Sequence, residues 1–139
     1  MEHKKIDNTY IMRIDKGEEV IDKITKLCIE EDIKTGYITG IGATDLVEMG
    51  LFNTISKQYK KTTLSGPMEI TSLVGNISRM NGDVYLHIHI NVSDEKMNVH
   101  GGHLNKCVIS ATGEIMITAL NGDMNREFNE EIGLNLYKF

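Results

Sequence analysis

The alternation between Asp83 and Ser93 constrains the fold of this chain more than any other feature. Val84, Leu86, Ile88, Ile90 and Val92 take every second place, between Tyr85, His87, His89, Asn91 and Ser93. Period-two alternation over this length predicts a strand with one buried face, because successive side chains of a strand project to opposite sides. The five aliphatic residues are therefore expected on a core. His87 and His89 then share the other face with Tyr85 and Asn91. A two-residue step advances a strand by about 6.6 Å, so two imidazoles at that spacing can lean toward one point. Asn81-Gly82, just before the run, reads as a tight hairpin turn.

A third histidine, His103, follows a polar stretch and the pair Gly101-Gly102. Paired glycines allow the backbone to come close and to aim the following ring. Three protein ligands with a fourth position open is the usual arrangement of a reactive zinc site, and other divalent first-row metals accept imidazole too. The pattern predicts a divalent metal, with zinc as first choice, at His87, His89 and His103. His100 competes with His103 for the third place or joins it. The plainer alternative is three solvated histidines on a polar strand face. Glu114, in ATGEIMIT, is a candidate to accept a hydrogen bond from a ligand imidazole or to act as a general base; an outward-facing strand carboxylate is its plain reading. Glu69 reads as a solvated strand position, and His3 as part of a frayed terminus.

Around this ribbon the chain reads mostly as β. Thr9 to Ile14 predicts a strand. Asp15 is placed to cap a helix, with Glu18 three residues on, and Val20, Ile21, Ile24, Leu27 and Cys28 recur at helical spacing through Glu31. Strands are expected at Gly36 to Ala43, Val47 to Asn53, Lys57 to Thr63, from Pro67, over Leu104 to Leu120, and at Leu134 to Tyr137. Gly40-Ile41-Gly42 is followed by strand-like sequence rather than the helix a dinucleotide site needs. The expected fold class is α+β: a mostly antiparallel sheet with one long N-terminal helix packed on it, in a single domain spanning 1–139.

Charge narrows the partners. The chain carries 15 basic and 20 acidic residues, a net −5, so it has no global attraction for a phosphate backbone. Lys57, Lys60 and Lys61 around Tyr59 form a short basic cluster that reads as solubility. No window resembles a membrane span or a secretory signal, which makes a cytoplasmic location the expectation. Cys28 and Cys107 lie far apart and read as buried thiols.

With these residues in view, the chain resembles plants-and-prokaryotes-conserved (PPC) domain proteins over nearly its whole length. The resemblance rests on Arg13, Gly17-Glu18, Cys28, Gly40-Ile41-Gly42-Ala43, Tyr59, Glu69-Ile70, Ser72-Leu73 and Gly75. Its strongest part is His87-x-His89 followed by Gly101-Gly102-His103-Leu104, then Thr112 and Glu114. It implies an α+β homotrimer, and a metal at histidines matching His87, His89 and His103 in some microbial relatives. Members commonly carry the name of candidate DNA-binding proteins. In plants that binding rests on a separate basic R-G-R-P segment, which this sequence lacks. The plant G-R-F-E-I-L segment corresponds to Gly66-Pro67-Met68-Glu69-Ile70-Thr71, without its Arg and Phe, so its partner binding does not transfer. The implied function is a trimeric metal-binding protein with a regulatory role, on DNA by resemblance. The alternatives are a metal-dependent hydrolase or lyase acting on a small polar substrate, and an assembly module with bare histidines.

Overall fold

The computed structural model describes residues 1–139. In chain order the elements are β1 (Glu2–Ile6), β2 (Thr9–Asp15), α1 (Val20–Glu30), β3 (Gly36–Asn53), β4 (Gln58–Met80), β5 (Asp83–Ser93), β6 (Val99–Ala119), β7 (Asn125–Asn129) and β8 (Leu134–Lys138). All strands belong to one sheet. Antiparallel pairing runs β1 to β2 to β6 to β3 to β4, and β5 bridges β4 and β6. The four strands β3, β4, β5 and β6 therefore close on one another. The N-terminal part of β6, Val99 to His103, pairs with β5, and its later part, Thr112 to Thr118, pairs with β2 on the same edge. This division is what sends the third histidine toward the other two.

The core follows from alternation. Ile88, Ile90 and Val92 of β5 are buried, Val84 and Leu86 pack partly against them, and α1 adds Val20, Ile24, Leu27 and Cys28. Asn81 and Gly82 both take positive φ, 55° and 90°, in the β4–β5 turn, the geometry a two-residue hairpin loop requires. Both cysteines are free and buried, and burial pushes their thiols up to about 12 for Cys28 and about 11 for Cys107. No helix is long and apolar enough to cross a membrane.

The expected α+β architecture with a long helix is not what the chain adopts. Strands hold 69% of the residues, and the one α-helix has 11 residues, about three turns. The fold is mostly β. The helix starts late because Asp15 to Glu19 are used to dock on β6: Gly17 N–H donates to the Ile109 carbonyl at 2.8 Å, and Ile109 N–H donates to Glu18 O at 3.0 Å. Asp15 ends β2 and does not cap. The cap is Glu19, whose Oε2 accepts Asp22 N–H at 2.7 Å while Oε1 accepts Cys107 N–H at 2.9 Å. Strand content was also underread. β1 is a paired strand rather than a frayed end, and β3 and β4 each run unbroken through the segments read as separate. Pro67 falls inside β4 beside Gly66, whose φ is +111°, near the register shift between Thr44 and Leu46.

Candidate metal centre

His87 and His89 project from the same face of β5, opposite to Ile88 and Ile90. His103 of β6 lies directly across from His89 in the ladder. The three ring centroids are 5.1, 5.2 and 5.6 Å apart. One ligand nitrogen from each ring lies within 4.8 Å of the other two. A tetrahedral ion holding nitrogens at about 2.1 Å would set them ~3.4 Å apart, somewhat closer than the 4.8 Å within which they lie here. The glycine pair works inside a strand rather than in a loop. A Cβ on Gly102 would sit 2.9 Å from the Gly50 carbonyl oxygen, so only glycine lets β6 press against β3 here. On its other side His103 meets the edge of Tyr59, with centroids 6.2 Å apart. Tyr59 lies over Gly50 and its hydroxyl accepts a 2.7 Å hydrogen bond from Asn105 Nδ2.

The surroundings keep two of these rings, His87 and His103, in the ligating form. Burial, then the neighbouring His103 and His89 and the Arg126 guanidinium, lowers the pKa of His87 to about 4. Burial, then His89, lowers His103 as well. Both imidazoles are neutral at pH 7, which is the state that binds a metal. The donor set fits a divalent first-row ion: three imidazole nitrogens that already converge, with no fourth protein carboxylate or thiol among them.

The other candidates lie elsewhere. His100 pairs with Val92 and therefore points to the opposite side of β6 from His103; its Nε2 sits 3.4 Å from Asp94 Oδ2. Glu114 is exposed, lies across from Arg13 on β2 and Ile41 on β3, and lines a cleft with Ile11 and Met116. It makes no hydrogen bond to any of the three rings, and one chain alone does not bring it to them. His3 is in β1, beside Tyr10. Glu69 is exposed. The basic cluster is largely occupied: Lys61 pairs with Glu48 at 2.9 Å and Lys57 donates to the Glu131 carbonyl.

The expected last strand, Leu134 to Tyr137, is present as β8, but sequence reasoning missed β7 and the hairpin that the two form. It closes a cavity of about 200 Å³ over His87 and His103, and brings Arg126 into its wall. Arg126 stands in a five-residue strand, NREFN, with no motif around it, so nothing local marked it.

The sequence model of the Plants and Prokaryotes Conserved (PCC) domain family matches residues 1–121. No curated protein matches the chain in sequence. Among solved structures, a candidate DNA-binding protein from Bacteroides thetaiotaomicron superposes with a TM-score of 0.97 at 37% identity, covering 99% of this chain and 96% of that one. A plant- and prokaryote-conserved protein from Pyrococcus horikoshii gives 0.86 at 30% identity, covering 99% and 94%. A metal-containing protein from Archaeoglobus fulgidus gives 0.89 at 29% identity, covering 97% and 96%.

Proposed function

The chain belongs to the Plants and Prokaryotes Conserved domain family, and from that premise we propose that it is a homotrimeric protein holding a divalent metal, zinc by first choice, at His87, His89 and His103, with a regulatory role. The observation that carries the metal is the convergence of three imidazoles from two adjacent strands. The metal-containing archaeal neighbour supports the same reading. Bound there, such an ion supplies a Lewis-acidic position open to a small ligand. Gly102 lets β6 deliver His103, Tyr59 backs that ring, and burial keeps His87 and His103 unprotonated. Elemental analysis tests it. One equivalent of metal per chain is expected in the wild type and in His100→Ala, and a large loss in His103→Ala. Equal metal in all three proteins would remove the site.

Assembly is supported by the sheet face opposite α1. Cross-strand partners place Ile11, Met116, Thr39, Val74 and His89 in one row across five strands. Ile11, Tyr37, Ile41, Val74 and Met116 on this face are each between 44% and 58% exposed. An apolar patch of this extent marks an interaction surface, and it runs up to the histidines. A second copy seated on it would shield the site from water. Any role for Glu114 as a base requires that such a copy carry it to the rings.

The DNA role rests on the names of neighbouring proteins. Its physical support is thin, since the net charge is −5 and two of the three clustered lysines are engaged. Binding to duplex DNA is measured at low salt, where the electrostatic attraction is greatest; absence of a complex there ends that reading. A metal-dependent hydrolase or lyase is the second reading, favoured by the half-enclosed cavity that reaches His87 and His103.

A further inference from the structure

Arg126 is 9% exposed and held on three sides. Its Nε donates to Ser78 Oγ at 2.8 Å and its Nη1 to the Asn135 carbonyl at 2.8 Å. The guanidinium stacks between Tyr85 and Tyr137, 4.8 and 4.2 Å from the ring centroids. Nη2 has no hydrogen-bond partner in the protein and is not sealed away, since no side-chain nitrogen or oxygen is both buried and unpaired. Arg126 lines the cavity of about 200 Å³ that also reaches His87 and His103.

That cavity has a definite chemical character. Arg126 is its one full charge, and no carboxylate lines it. The hairpin side of the wall adds Leu134, Asn135 and Leu136, and Phe52, Tyr59 and Tyr85 complete it beside the histidines. A cation fixed this rigidly in a half-enclosed apolar space demands an anion. The volume is below that of drug-sized sites, so the anion is small. Resting on the metal reading above, we propose that Arg126 and the β7–β8 hairpin form the recognition site for a small organic carboxylate. Its head group lies between Nη2 and the metal position, and its short apolar tail lies against Leu134 and Leu136. Arg126 falls beyond residues 1–121, the stretch that the family model matches, although solved structures of similar proteins extend over 99% of this chain.

The test is calorimetric titration of zinc-loaded protein with butanoate, with inorganic phosphate in parallel and metal content measured on every sample. Wild type is expected to bind butanoate more tightly than phosphate. Arg126→Met should weaken butanoate by roughly tenfold or more, the scale of a charged hydrogen bond, with zinc content unchanged. Because that variant also removes the Ser78 and Asn135 contacts, Leu134→Glu serves as the second: it leaves those contacts in place, adds a negative charge at a 39% exposed position, and should abolish butanoate binding. Zinc-loaded wild type that ignores butanoate at millimolar concentration, or either variant binding it as wild type does, overturns the carboxylate site and leaves the metal reading standing. Wild type that takes up no zinc overturns the metal reading itself.

Discussion

Glu18 shows how a single side chain couples this fold to pH. Its carboxylate accepts from Lys23, from the N-terminal ammonium and from Asp15 N–H, and these lower its pKa from 4.5 to about 2. The unfolded chain takes up the proton near 4.5 and the folded one only near 2, so the contribution is complete above 4.5 and is lost as pH falls between those values. The Glu18 side chain is partly solvated, so the effect is about 1 kcal/mol once screening is allowed for. Urea midpoints at pH 6 and pH 3 are expected to fall further apart in wild type than in Glu18→Gln; equal spacing would show that Glu18 is not linked to folding. Among the histidines the same scale separates roles by direction alone. His103 and His100 are three residues apart, yet β6 is a strand at both and aims them to opposite sides.

At the scale of elements, one side chain joins the helix to the sheet. Glu19 satisfies Asp22 N–H at the start of α1 and Cys107 N–H on β6 with its two oxygens. Replacing it with alanine leaves both donors unmatched and is expected to destabilise by about 1–2 kcal/mol, read as a lower urea midpoint, with Glu19→Gln intermediate. Leu27 is fully buried between α1 and the sheet, and Leu27→Ala should cost about 2–5 kcal/mol in the same assay. Strand contacts set sharper limits. A Cβ at Gly42 would lie 2.4 Å from the Thr112 carbonyl oxygen and 2.9 Å from Gly113 Cα, both backbone atoms. At Gly101 it would meet Asn91 Oδ1, the movable end of a side chain, at 2.0 Å. Gly42→Ala is therefore expected to lower the melting temperature more than Gly101→Ala, and the reverse order would mean that β3 and β6 can separate locally.

For the whole molecule, the exposed sheet face is where the proposed assembly would form. A stable interface removes at least about 1,000 Å² from water, and the proposed one is centred on the row from Ile11 through Met116 and Val74 to His89. Sedimentation of the wild type is expected to give a trimer. Val74→Arg and Met116→Arg should shift it to monomer with unchanged far-ultraviolet circular dichroism, because both positions are half exposed in the single chain. A wild-type monomer at micromolar concentration would contradict the assembly.

Much of this protein was written in alternation. The buried side of β5, the hairpin at Asn81-Gly82, the amphipathic stripe of α1 and the shared face of His87 and His89 all depend on residues close in the chain, whose side-chain directions are set by local backbone geometry. The convergence of His103 with them was anticipated from the glycine pair, but its delivery by a strand rather than a loop was not. The balance of helix and strand was misjudged, because the turn between Asp15 and Glu19 is held by Ile109, which lies some ninety residues away. Arg126 could not be found at all by reading along the chain. Its position depends on Ser78, Tyr85, Asn135 and Tyr137 meeting around one guanidinium. Only closure of the sheet brings such distant residues together, since a pairing register is a property of two strands and neither one encodes it alone.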